Sequence, residues 1–246
     1  MEKYLNSAIP LSVELLGEVG STNTLIKELA AQGAAEGAVI IAERQTAGRG
    51  RRGRSFFSPE GSGLYLSLLL RPTFSTEHIT TAAAAAAALA IEEVSGREAD
   101  IKWVNDIWLD GRKVCGILCE AGNGFVVVGV GVNVTAPPQG FPEELKDIAG
   151  AVFTDGDAPA DARLRIGAAF LNHFTRFYTN MEAREYYPEY RKRCFLLGQE
   201  INVLRGGEAI PATAIDINEH CHLLVRYTDG SEEYLSSGEV SIRPRG

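Results

Sequence analysis

The chain has 246 residues, with 24 Lys and Arg against 32 Asp and Glu, a net charge of −8, 45% hydrophobic and 23% charged residues. These are globular values, and the acidic balance argues against a broad basic nucleic-acid-binding face. The N-terminus lacks a signal-peptide apolar segment, and the longest uncharged apolar stretch, residues 79–91, is too short and alanine-rich to span a bilayer. A cytoplasmic protein without membrane or DNA partners is expected.

In chain order, residues 22–31 predict a short helix, with Ser21, Thr22 and Asn23 as candidate caps and Gly33 as its stop. Residues 38–42 predict an apolar strand. Next comes the most unusual segment, Gly48-Arg49-Gly50-Arg51-Arg52-Gly53-Arg54, followed by Ser55-Phe56-Phe57. Its glycines let the backbone curl and approach a ligand. Its arginines are fork-shaped donors suited to phosphate and carboxylate. In a net-acidic chain this predicts a local clamp for a small anion.

Residues 64–70 predict a second strand, and 75–94 a long helix containing seven consecutive alanines and ended by Ser95-Gly96. Residues 101–109, 113–120 and 125–134 predict three antiparallel strands joined at Asp110-Gly111 and Asn123-Gly124. Pro137-Pro138 and Phe141-Pro142 mark an irregular connection before helices over 162–181 and 187–194. Short strands over 201–204, 209–217, 222–227 and 233–242 predict a small β-barrel. The class is therefore α+β, a mixed and largely antiparallel sheet with flanking helices, divided into residues 1–195 and a barrel at 196–246.

Gly48-x-Gly50-x-x-Gly53 matches the dinucleotide fingerprint literally, but Ser55-Phe56-Phe57-Ser58-Pro59 follows where a helix is required. Gly111 and Gly116 have Walker spacing, with Ile117-Leu118 in place of Lys-Ser/Thr. Both readings fail. The four cysteines form no CxxC pair, and strand alternation at His220-Cys221-His222 would aim histidines and cysteine to opposite faces, which disfavours a metal site. Lys102-Trp103-Val104-Asn105-Asp106, Arg112-Lys113-Val114-Cys115-Gly116-Ile117 and Gly129-Val130-Gly131-Val132-Asn133 lie on neighbouring predicted strands. Lys102, Lys113, Asp106 and Asn133 can converge there if the register permits. Each also has an ordinary reading, as an edge charge, a turn or a bulge.

Together with Ser21-Thr22-Asn23, Gln45-Thr46-Ala47 and the C-terminal Gly238-Glu239-Val240-Ser241-Ile242-Arg243, these motifs resemble the biotin–protein ligases across nearly the whole chain. Members commonly have Pro where this chain has Val104, and Trp where it has Phe56. Twenty residues precede Ser21, so the resemblance implies the form without an N-terminal DNA-binding domain. It implies a catalytic domain with an SH3-like barrel that converts biotin and ATP to biotinyl-5′-AMP, then acylates a lysine of the biotin carboxyl carrier protein of acetyl-CoA carboxylase.

The resemblance assigns Lys113, Arg51, Lys102 and Asp106 to catalysis, with Asp106 also toward Mg²⁺. It assigns Ser21, Thr22, Asn23, Gln45, Gly48, Arg49, Gly50, Arg51, Lys113, Gly116, Gly129 and Gly131 to biotin. Arg51, Arg54, Phe56, Lys102, Asn105 and Asn133 fall to ATP or the adenylate, with Phe56 stacking near adenine. It also implies an arginine loop that closes on ligand, and a homodimer is common in the family. Lipoate–protein ligase shares the chemistry and is the neighbouring alternative, and a nucleic-acid-binding module is the one from another class.

Overall fold

A computed structural model describes residues 1–154 and 156–242, so Arg243 of the C-terminal motif lies outside the described residues. The first sheet has seven strands: β1 (Ser12–Val19), β2 (Ala38–Gln45), β3 (Gly63–Leu70), β4 (Asp100–Lys102), β5 (Asp106–Leu109), β6 (Arg112–Gly122) and β7 (Phe125–Asn133). Their order is β1-β2-β3-β7-β6-β5-β4. Only β1 and β2 run parallel, because α1 (Thr22–Ala31) carries the chain back between them. The mixed, largely antiparallel sheet expected from the sequence is present.

β1 was not predicted. It is an edge strand with no fully buried position, and Glu14, Gly17 and Glu18 break the alternation that would mark it. The expected strand over 101–109 is two strands, β4 and β5, paired antiparallel with Lys102 opposite Asp106. Trp103, Val104 and Asn105 form the turn between them.

Every residue of β3 is buried, since this central strand is covered on both faces. Leu64, Leu66, Leu68 and Leu70 join the main core with α2 (Ile79–Ser95) and α3 (Ala162–Thr179). Leu69 joins Ile40 and Val127 beneath Ile26 and Ala30 of α1. In α2, Ala82 to Ala88 are all at most 2% exposed, so the alanine run lets neighbouring elements approach its backbone on every side. Gly96, at φ 70°, stops α2 with its N–H on the Glu92 carbonyl. The helix begins at Ile79, later than expected, because the Ile79 N–H turns back to the Thr76 carbonyl.

α4 (Tyr186–Arg193) leads to β8 (Glu200–Arg205), β9 (Glu208–Ile217), β10 (Leu223–Tyr227), β11 (Glu232–Leu235) and β12 (Val240–Ile242). They form an antiparallel sheet ordered β11-β10-β9-β8-β12, where the small barrel was expected. The strand expected over 233–242 is broken by Ser236-Ser237-Gly238, with Gly238 at φ 143°, and β12 crosses to pair with β8. His220-Cys221-His222 lies in a turn before β10 with Cys221 at φ 57°, so the alternation argument does not apply there. Among the described residues, no helix is long and apolar enough to cross a membrane.

Candidate active site

The sheet face opposite α2 and α3 is covered by α1 at one end and left open beyond it. Across the open part run two cross-strand rows. Asp106, Gly116, Gly131 and Tyr65 form one, and Leu118, Gly129 and Ser67 the next. Above them is a cavity of about 570 Å³, a size suited to a small ligand.

The polar end is built by the start of α1. Ser21 takes the N-cap position but makes no capping bond with its side chain. Gln45 Oε1 accepts from the Thr22 backbone N–H (2.9 Å) and hydroxyl (3.1 Å), while Gln45 Nε2 donates to Ser58 (2.9 Å). Ser67 donates to Asn23 Oδ1 at 2.6 Å and sits 2.7 Å from the Thr22 hydroxyl. Asn23 Nδ2 donates to the Leu118 carbonyl (3.2 Å) and Glu120 (2.9 Å). Glu120 also pairs with Lys27, and these partners hold its carboxyl below the usual range against the opposing effect of burial. A buried network satisfied this fully gives the amide and hydroxyl groups one arrangement.

The floor is bare backbone. A Cβ added at Gly131 would stand 2.6 Å from the Phe56 ring, and one at Gly116 would stand 3.2 Å from the same ring. One at Gly129 would stand 2.1 Å from Asn23 Oδ1. The expectation that all three glycines receive a ligand is therefore refined. Phe56, expected near adenine, packs on Gly116 and Gly131 and meets Tyr65 edge-on at 6.5 Å, whereas Gly129 makes room for Asn23.

The cationic end comes from β4, β6 and the arginine loop. A bulge between Ile107 and Trp108 offsets the β5–β6 register, pairing Trp108 with Lys113 while Asp106 faces Gly116. Regular alternation would put Lys113 and Gly116, three residues apart, on opposite faces; the bulge returns both to the cavity. Lys113 Nζ ends 2.8 Å from Asp106 Oδ1. Lys102 lies with its Nζ 5.4 Å from the Trp108 ring centroid, and burial lowers its pKa despite the opposing charge of Asp106.

The arginine loop is a tight hairpin. Gly50 N–H meets the Arg54 carbonyl at 2.8 Å, around a one-turn 3-10 helix with Arg52 at φ 55° and Gly53 at φ 75°. Gly48 does not line the cavity: it lies behind the hairpin, where a Cβ would stand 2.3 Å from the Phe56 carbonyl oxygen. The other predicted site residues all line the cavity.

The loop arginines are not unpartnered. Arg49 pairs with Glu120 (3.1 Å) and Arg54 with Glu239 (2.6 Å). Arg51 donates to Asn105 Oδ1 (2.9 Å) and to the Gly238 carbonyl (3.2 Å). Burial lowers the Arg51 pKa, with Arg52 adding to the effect. Asn105 donates in turn to the Ile117 carbonyl (2.8 Å), so it positions Arg51. Asn133 is committed to the Gly150 carbonyl (3.0 Å).

Sequence reasoning missed several contributors. Ser67 sits in an otherwise apolar strand with no motif around it. Glu239 belongs to a motif noted in the sequence, but its contact with the arginine loop joins residues 187 apart in the chain. Phe141, Leu145 and Ile148 form a wall because residues 148–150 pair with Lys113 through backbone bonds of 2.8 Å in each direction. A sequence rich in Pro and Gly gives no sign of that docking. The four cysteines are thiols, and burial raises the pKa of every one, Cys119 to about 12 and Cys221 to about 11, so none is fitted to act as a nucleophile.

The sequence model of the Biotin/lipoate A/B protein ligase family matches residues 16–134, and that of the Biotin protein ligase C terminal domain matches residues 196–243. The chain is 33% identical over 239 residues to the biotin–acetyl-CoA-carboxylase ligase of Mycobacterium tuberculosis, covering 93% of this chain and 88% of that protein. It is 42% identical over 154 residues to the bifunctional ligase/repressor BirA of Bacillus subtilis. That match covers 56% of this chain and 47% of the relative, so it spans about half of the longer protein. The biotin protein ligase of Aquifex aeolicus, solved in complex with biotin and ATP, has a TM-score of 0.81 at 28% identity, covering 94% of this chain and 98% of that one. Likeness that runs through the cavity-bearing sheet and into the second one makes the chain a member of the biotin/lipoate A/B protein ligase family.

Proposed function

We propose that the protein is an ATP-dependent biotin–protein ligase, with a catalytic domain over residues 1–195 and a C-terminal domain from 196. The observation that carries this reading is the layout of one cavity: an amide–hydroxyl end, a glycine floor and a cationic end, in line. Biotin offers a ureido group, an apolar bicycle and tail, and a carboxylate in that order.

Thr22, Asn23 and Gln45 meet the ureido group, ordered from behind by Ser67, and Phe56 moves off Gly116 and Gly131 as the bicycle enters. The carboxylate then reaches Lys113. Bringing it to the α-phosphate of ATP sets like charges against each other, about 4 kcal/mol per pair of unit charges at 4 Å and an effective dielectric near 20. Lys113, Lys102 and Arg51 offset that repulsion and stabilise charge on the α-phosphate as the acyl–oxygen–phosphorus bond forms and pyrophosphate leaves. Asn133 supports the wall beside the nucleotide through Gly150, and Arg54 stands at the loop's outer rim.

Asp106 suits Mg²⁺ as one of the one or two carboxylates that ion takes beside phosphate oxygens. Its Oδ1 is engaged by Lys113, and among the described residues the cavity offers no group of three clustered ligands. Mg²⁺ held by Asp106 and the triphosphate would supply positive charge at the phosphates. In the second step the carrier lysine attacks the acyl carbon and AMP departs with the bonding pair. The carrier is the biotin carboxyl carrier protein of acetyl-CoA carboxylase, met in the cytoplasm.

The test incubates the protein with ATP, Mg²⁺ and a biotin-carrier domain, with biotin or lipoate, and reads the carrier by intact mass. One biotinyl group added is expected. An unmodified carrier in the biotin arm, or lipoyl transfer favoured in competition, sinks the reading.

A further inference from the structure

Away from this cavity, Glu77 and His78 at the entry to α2 meet the His220–His222 turn that precedes β10. One ligand-capable atom from each of Glu77, His78 and His220 lies within 4.8 Å of the other two. The His78 and His220 rings stack at 5.6 Å, and His222 follows at 5.7 Å from His220.

Two observations separate this group from a chance surface cluster. His78 is only 8% exposed, and its Nδ1 is buried without a hydrogen-bond partner. Buried imidazole nitrogens are ordinarily satisfied, and an orphan among other ligand groups asks for one.

The turn is also held in shape. Asn218 Oδ1 accepts from the backbone N–H of both His220 and His222 at 3.0 Å. Trp103 Nε1 donates to the Cys221 carbonyl at 2.9 Å. His222 Nε2 lies 3.1 Å from Glu77 Oε1, the outer partner a ligating carboxylate needs for orientation. The neighbouring cation, Arg184, is drawn off by Glu219 at 3.4 Å.

We infer that Glu77, His78 and His220 form a binding site for a divalent transition cation of the zinc type. Two imidazoles and a carboxylate are its donor class, and the more exposed Glu77 and His220 would close on the ion to reach ligand bonds of about 2 Å. Such an ion would tie the start of α2 to the C-terminal sheet. Through Trp103 it would also steady the β4–β5 turn that carries Lys102 and Asp106.

The test uses the full-length chain, freed of tag and chelator-stripped, titrated with Co²⁺ by visible absorption and with Zn²⁺ by calorimetry. One equivalent is expected to bind with a tetrahedral Co²⁺ spectrum and a raised Tm. His220→Gln and Glu77→Gln, both at exposed or half-exposed positions, should each weaken binding at least tenfold. His173→Gln, which removes the separate His173–Glu93 pair, should leave it unchanged. Absence of saturable binding, or binding equal to wild type in His220→Gln, overturns the site.

Discussion

Lys113 and Asp106 are held 2.8 Å apart across a strand pair whose bulge is what allows them to meet. The carboxylate aims the ammonium over Gly116, whose added Cβ would lie 3.3 Å from Lys113 Nζ. A carboxylate or phosphate ligand must share that ammonium with Asp106.

Lys113→Ala is expected to slow adenylate formation by about 10²–10³-fold, the cost of removing one transition-state donor. Biotin-dependent pyrophosphate exchange reads this step directly. A loss below about tenfold, on the same scale, would move the main cation elsewhere.

The two glycines of β7 should separate folding from binding. At Gly129 a methyl meets Asn23, a short side chain anchored to Ser67, Leu118 and Glu120, which cannot retreat. Gly129→Ala should cost about 1–3 kcal/mol in urea denaturation, the range for overpacking. At Gly131 the neighbour is the Phe56 ring on the hairpin, which can give way, so Gly131→Ala should fold normally and weaken biotin binding. Equal stability loss in both variants would refute the distinction.

Arg51 joins the hairpin to both Asn105 and the Gly238 carbonyl. Arg51→Gly removes both links and a phosphate donor. The expected result is release of biotinyl-AMP, seen as adenylate in the filtrate and as biotin on unrelated lysines. A variant that retains the intermediate as wild type does would contradict this role.

Lys102 carries a pH signature. Burial lowers its pKa, so the ammonium that attracts an anion is lost earlier in an alkaline titration than from a solvated lysine. ATP affinity should stay level below that pKa and fall as pH rises through it. Lys102→Arg keeps its charge and should remove the decline. Identical pH profiles for the two proteins in calorimetry would exclude Lys102 as its source.

A structural pair predicts stability. Arg193, 8% exposed, donates to Glu92 from Nε (2.9 Å) and Nη2 (2.6 Å), binding α4 to α2. Burial opposes the charge on Glu92, but its bonds to Arg193 and the Ala99 N–H together hold the carboxyl below its ordinary value. The folded pKa is depressed, so this stabilisation is full above the unfolded carboxylate pKa and is lost as pH falls through the folded one. Glu92→Gln removes one of the two carboxylates on the buried Arg193, leaving Glu189, and should cost about 1–3 kcal/mol at neutral pH and flatten the acid limb. A variant with an unchanged acid limb would assign that limb to other carboxylates.

The helices, the hairpins at Asp110-Gly111 and Asn123-Gly124, and most residues lining the cavity were readable from local pattern and motif. Those signals live in neighbouring residues, where turn chemistry and side-chain period act. β1 escaped because a solvent-facing edge strand needs no alternation, and the break at 103–105 escaped because Trp, Val and Asn do not announce a turn. Ser67 carries no motif, yet its hydroxyl orders Asn23 and Thr22.

The arginine-glycine hairpin shows where sequence and tertiary structure divide. The sequence by itself determined a cluster of permanent cations on a backbone able to turn sharply, within an acidic chain, and so an anion clamp. Only the tertiary structure decided what that clamp faces: Asn105 and Gly238 for Arg51, Glu239 for Arg54, and bare Gly116 and Gly131 for Phe56. The physical reason is that a cation's chemistry is carried by its side chain, while its partner is chosen by strand register and by segments far apart in the chain. A one-residue slip or a single bulge exchanges those partners without changing any local motif.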